Sequence, residues 1–265
     1  MKIIPKEIKR RARAALTGYY FPAVSMTISL TLFTTALSLL VSASGLYGSP
    51  RALSQALYWI LYGITLLLGA LLETGLVRFL YSLNRRQPLR ERGALFFAFR
   101  SQADSYILAY AFRYLVTLVW FAPALYFYVR IPLVIDPANP PADLAFNAGM
   151  TLLLALAALV PAVLLALPWC LTTYVLLDKP EASVTEALRT SRHLTQGQRV
   201  RIFRIWLGFL PLCLLGLISF GIGFLWIRPY FHTAMGEVYL EVSGQRVKAK
   251  ADETAQESAE SFWHN

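Results

Sequence analysis

The chain has 265 residues, 57% of them hydrophobic and 15% charged, with a formal net charge of +10. Soluble domains carry roughly 45–50% apolar and 25% charged residues, so the composition is that of a membrane protein rather than a water-surrounded globule. The only two cysteines, Cys170 and Cys213, both fall inside apolar runs, which excludes a disulfide framework, and their spacing matches no zinc pattern.

The chain begins with "IIPKEIKRRARAALTG". Ile4, Ile8, Ala12, Ala15 and Leu16 recur at helical spacing, and Lys6, Lys9, Arg10 and Arg13 fall between them. This predicts a basic amphipathic helix over 4–17 lying in the headgroup plane, with Gly18 turning the chain inward. Apolar runs then follow near 19–41, 53–80, 106–129, 146–177, 202–218 and 224–242. A bilayer crossing needs about 20 such residues. The first run exceeds the 7–15 residues or so of a signal-peptide core, so it reads as an uncleaved span. The loop "IPLVIDPANPPAD" after the third run is broken by its prolines. Pro161 and Pro168 lie inside the fourth run, which reads as one kinked span whose freed carbonyls are satisfied by neighbours. The sixth run is less oily and carries Arg228, His232 and Glu237.

Basic residues give the orientation, because cytoplasmic connections are enriched in Lys and Arg. They cluster before the first run, between the second and third, and between the fourth and fifth, with Arg246, Lys248 and Lys250 after the sixth. With the N-terminus inside and six spans, 21 of the 25 basic residues lie on the inner side, which favours six spans over five. The expected architecture is all-α: a polytopic transmembrane bundle of about six spans over 1–248, two amphipathic interfacial helices, and a polar, disordered tail over 249–265. The positive charge needs no nucleic acid, since anionic lipid headgroups at the cytoplasmic face account for it at about 1 kcal/mol per basic residue.

The second interfacial helix falls in "DKPEASVTEALRTSRHLTQGQRVRIF". Ser183 and Glu186 have capping-box spacing, Gly197 supplies a stop, and Val184, Ala187, Leu188, Ser191 and Leu194 form a modestly apolar stripe, predicting a helix over 183–196 that pins the ends of spans four and five. Together with the final apolar segments, this stretch resembles the domain of unknown function 975 family of bacterial integral membrane proteins. The positions that carry the likeness are Asp178, Pro180, Glu186, Ala187, Leu188, Ser191, Arg192, Gly197, Phe203, Gly221, Gly223, Trp226, Pro229, Tyr230 and Tyr239, and "ARAALTGYYFPAV" resembles the family's opening. The resemblance implies an integral membrane protein of undetermined activity, with no mechanism attached.

Ionisable groups inside spans are costly and point to function. Glu73 and Arg113 each lie about seven residues from the inner end of their predicted spans, about 10 Å deep. They are expected to pair, either as a structural ion pair or along a polar transport path, with snorkelling of Arg113 as a further alternative. Arg228 and His232 share a helix face, with Glu237 partly round from it, and no acidic partner in span five is available, which favours interfacial anchoring. His193 and His264 are expected to be exposed, leaving no ligand cluster for a metal. No G-x-S-x-G, H-E-x-x-H or Walker pattern occurs, and Gly221-Ile222-Gly223 suits a tight turn rather than a phosphate cradle. The expectation is a non-enzymatic protein without cofactor, serving scaffolding or envelope maintenance; the alternative is a small transporter or lipid-handling protein using the Glu73 and Arg113 region. A continuous polar cavity at that pair distinguishes the second from the first.

Overall fold

The computed structural model describes residues 4–46, 52–87, 94–131 and 141–246. Lys2, Arg51, Arg90, Arg92, Lys248, Lys250, His264, the loop over 132–140 and the tail over 249–265 lie outside the described residues. Every regular element among those described is helical: α1 (Pro5–Leu16), α2 (Tyr20–Ala43), α3 (Ala52–Asn84), a 3-10 turn (Ala94–Phe96) leading into α4 (Phe97–Arg100), α5 (Ala103–Tyr128), α6 (Leu144–Ala166), a second 3-10 turn (Leu167–Trp169), α7 (Thr172–Asp178), α8 (Val184–Thr195), α9 (Arg199–Leu207), α10 (Leu210–Ile218) and α11 (Phe224–Val242).

Among the described residues, five stretches are long and apolar enough to cross a membrane: Tyr20–Ala43, Leu53–Asn84, Ala103–Tyr128, Leu144–Asp178 and Arg199–Ile218. Their outward faces are greasy. On α6, for example, Leu152, Leu153, Leu156, Leu159, Val160 and Leu164 are all exposed. Such a surface is unsustainable in water and ordinary in hydrocarbon.

The sixth predicted segment is present as α11 with the expected bounds, but it lacks the apolarity of the other five. The reason lies in its position. α11 packs against α1, α2, α3 and α10, and its residues Thr233 to Leu240 are buried without interruption. A helix wrapped by protein meets its neighbours' polar groups instead of lipid, so it can carry polar side chains that a lipid-facing helix cannot.

α1 departs from expectation in its surroundings. Its apolar stripe, Ile8, Ala12 and Leu16, is fully buried as part of the protein core rather than offered to headgroups. The helix packs on α11, α3 and α9. The polar contacts explain why: Lys9 Nζ donates to the Gly208 carbonyl at 2.6 Å, Arg13 Nε donates to the Tyr230 hydroxyl at 3.1 Å, and Arg11 bridges Glu7 and Glu241. Burial, and then the neighbouring Arg13, lowers the pKa of the Lys9 ammonium below its ordinary value.

The break in the fourth span is supported from outside. Near Pro168 the helix tightens into the 3-10 turn, and the Pro168 carbonyl accepts from Ser191 Oγ at 2.9 Å and from Thr195 Oγ1 at 3.4 Å. Both donors lie on α8 and are fully buried. One half of the predicted capping box forms, with the Ser183 hydroxyl accepting from the Glu186 amide at 3.2 Å, and Gly197 ends the helix at φ +76°. The polar helix therefore satisfies and fixes a broken transmembrane helix.

The bundle has a distinctly basic end. Asp178 at the end of α7 pairs with Arg85 and accepts from the Tyr239 hydroxyl at 3.0 Å, while Arg246 donates to the Asn84 carbonyl at 3.3 Å. These contacts bring the last turns of α3, α7 and α11 together beside α1. The opposite end of α11 is a tight hairpin. There Gly221 has φ +89°, and the Ser219 hydroxyl accepts from the Gly223 amide at 2.9 Å.

Candidate functional site

Glu73 lies on α3 eleven residues before its end at Asn84, Arg113 on α5 ten residues after its start at Ala103, and His232 on α11 ten residues before Val242. At about 1.5 Å of rise per residue, all three sit about 15 Å from the basic end, near the middle of a bilayer-thick bundle. Equal depth was legible in the sequence, but the pairing was not.

Glu73 does not pair with Arg113. Its Oε2 lies 2.9 Å from Arg228 Nη2 and its Oε1 lies 2.9 Å from His232 Nε2. Arg228 and His232 are one helical turn apart, so a single carboxylate on α3 reaches both, and α3 packs directly on α11. The same contact corrects the expectation that Arg228 and His232 serve as interfacial anchors: their acidic partner comes from span two. His232 is also held through its backbone, since its carbonyl accepts from the Tyr174 hydroxyl of α7 at 2.8 Å.

Glu237 belongs to a different cluster. It is 1% exposed and receives two hydrogen bonds from Arg246, at 3.1 and 3.2 Å, at the basic end. Five residues from His232, it points round the helix, as its spacing predicts.

Arg113 faces a cavity of about 130 Å³ that it shares with Glu73 and His232. Val77, Tyr110 and Ala166 also line it, as do Cys170, Thr173 and Tyr174 from the broken part of span four. Trp206, Phe231 and Met235 complete the lining, and Trp206 Nε1 donates to Met235 Sδ at 3.3 Å. The guanidinium of Arg113 lies over the Tyr110 ring, 5.1 Å from its centre. Among the described residues, Arg113 forms no ion pair within 4 Å of a carboxylate. Cys170 and Cys213 are free thiols.

Cys170, Tyr110, Thr173 and Tyr174 were not among the sequence candidates. The available signal was Pro168: a break in a span exposes backbone and side chains that can line an internal space. Among the described residues no group of histidine, cysteine and carboxylate side chains suited to a metal ion is present.

The remaining motif positions support the scaffold. Pro180 lies in the turn between α7 and α8, Ala187 is fully buried, Leu188 is half-buried, and Arg192 and His193 are exposed. Phe203 and Trp226 face outward, whereas Pro229, Tyr230 and Tyr239 lie in the buried part of α11. Gly223 stands where a Cβ would meet the Gly216 backbone at 2.8 Å, allowing α10 and α11 to close at the hairpin.

These features define a multi-pass helical membrane protein with a polar cluster inside its bundle. The chain belongs to the family described as protein of unknown function (DUF975), whose model matches residues 1–246. No curated protein and no solved structure matches it.

Proposed function

We propose that this chain is a non-enzymatic protein of the bacterial cytoplasmic membrane that holds or passes a small polar group through its intramembrane cavity. The observation that carries the reading is the cavity itself: Arg113, His232 and Glu73 line a mid-bundle space that is not filled by protein, and Arg228 pairs with the same Glu73 from beside it. A purely scaffolding protein has no use for such a space, and burying several charges without one is costly. The basic end faces the cytoplasm in this reading, with the N-terminus inside and anionic headgroups as its partners. α11 serves as the sixth crossing, because its two ends stand at opposite ends of the bundle.

Cys170 provides the test. In a Cys213→Ala background the purified chain, in detergent and in proteoliposomes, is treated with a small charged methanethiosulfonate reagent. Labelling of native Cys170 is expected, and prior filling of the cavity by Ala166→Phe should suppress it. Absence of labelling in both settings, with full labelling after denaturation, would overturn the reading in favour of a dry scaffold. A reporter fused after Asn265 should read out on the cytoplasmic side; an external readout contradicts six crossings.

A further inference from the structure

The charges around the cavity do not balance. One carboxylate, Glu73, is paired with Arg228 and His232; Arg113 feels it across the cavity, outside ion-pair distance, and stands over the face of Tyr110. The cluster sets two guanidinium cations against one carboxylate and so carries at least one positive charge in excess. An uncompensated charge at mid-bilayer depth is expensive, by several kcal/mol. The cavity has room for a counter-anion, and Arg113 has unused donors facing it.

The packing of the helices indicates the direction of entry. α5 and α6 pack on one another, and α10 packs on α11, but no closely packed helix pair joins α5 or α6 to α10 or α11 among the described residues. Between these two groups the bundle is held by α3 and by the broken part of span four. Arg228 reaches this region with a side chain 34% exposed, and Tyr114 on α5, next to Arg113, is 37% exposed. Both side chains therefore reach the outer surface of the bundle beside the cavity. The cavity is therefore lined by one arginine, a histidine and a glutamate among apolar and aromatic side chains, and its side access lies through this loosely packed region.

From this we infer that the cavity binds the phosphate of an anionic phospholipid, which enters sideways between α5–α6 and α10–α11. Arg113 donates to the phosphate oxygens, and the acyl chains remain against the apolar outer surface of the bundle. The inference rests on the proposed cavity and names its ligand. A guanidinium fork matches phosphate geometry, and a net anionic headgroup suits an excess of cations better than a zwitterionic one. The lateral access selects a lipid over a dissolved phosphate ester, which would need an aqueous route.

The full chain, delipidated in neutral detergent, is titrated with dioleoyl phosphatidylglycerol, dioleoyl phosphatidylcholine or glycerol phosphate, and its thermal midpoint is followed. Phosphatidylglycerol should raise the midpoint saturably, at an apparent affinity about tenfold or more above the other two. Arg113→Gln should remove that preference and Arg113→Lys should keep part of it, whereas Arg189→Gln, on the exposed face of α8, should leave it intact. Should Arg113→Gln fail to fold, Ala166→Phe keeps the charges and fills the space, and it should remove the preference too. Equal responses to both lipids, or a loss with Arg189→Gln but not with Arg113→Gln, would overturn the inference. Glycerol phosphate binding as tightly as phosphatidylglycerol would overturn the lipid assignment in favour of a soluble phosphate ester. Cys170 labelling separates the levels: labelling without a lipid preference means the cavity is real and its ligand is another, whereas no labelling removes the cavity reading itself.

Discussion

Ser191 of α8 donates its hydroxyl to the carbonyl of Pro168 at 2.9 Å, closing the break in the fourth span from a helix that is itself polar. Pro168 disrupts the regular ladder of that span, and a buried carbonyl left without a donor costs about 1–3 kcal/mol. Thr195 contributes a longer bond to the same oxygen. Ser191→Ala should therefore lower the thermal midpoint in detergent, and Ser191→Ala with Thr195→Val should lower it further. Exposed Arg192→Gln should leave the midpoint nearly unchanged. Fluorescence-detected size-exclusion after heating checks all three.

Gly75 sets a second, purely steric constraint. A Cβ there would stand 2.5 Å from the carbonyl oxygens of Ala94 and Leu95 and from Leu95 Cα, so the backbone itself would have to move. Gly63, on the same helix, has nothing within 4 Å of the same atom. Gly75→Ala should lose most folded protein. Gly63→Ala should be neutral or stabilising by up to about 1 kcal/mol, through helix propensity alone. The yield of monodisperse protein after solubilisation distinguishes the two.

Asp178 joins three chain segments at the basic end: Arg85 after α3, Tyr239 on α11 and Gln245 beyond it. Asp178→Asn keeps an acceptor for the Tyr239 hydroxyl but removes the charge that Arg85 meets. Asp178→Leu removes both, and Tyr239 is buried. The expected order of stability is wild type, then Asn, then Leu, with the larger step at Leu because an unsatisfied buried hydroxyl outweighs a partly exposed ion pair. Protease sensitivity of the segment after Val242 should follow the same order.

Much of this fold was legible from hydrophobic runs and caps. The predicted helix over 183–196 is Val184–Thr195, the predicted segment over 224–242 is α11 to the residue, and the N-terminal helix over 4–17 is Pro5–Leu16. Those features depend on neighbours in sequence. What the sequence left open depends on neighbours in space. Helical rise fixed the depth of Glu73 and Arg113, but azimuth about each helix axis decides which side chains meet. Nothing local announces that α3 turns Glu73 towards α11. The same limit applies to α1: its apolar stripe was plain, but a stripe fits lipid or protein equally well until Glu241 and Tyr230 are seen to meet Arg11 and Arg13. The low oiliness of α11 was visible as an anomaly, and its cause, enclosure by other helices, was not.

Glu73 makes its ion pairs with α11, which leaves Arg113 outside ion-pair distance of it and lining the cavity. A double-mutant cycle on thermal stability measures this directly, with Gln replacing Glu73, Arg228 and Arg113 singly and in pairs. The Glu73 and Arg228 pair should show a coupling energy of about 1 kcal/mol or more, clearly larger than that of the Glu73 and Arg113 pair, which lacks a direct contact. Strong coupling of Glu73 to Arg113, with additivity towards Arg228, would contradict it.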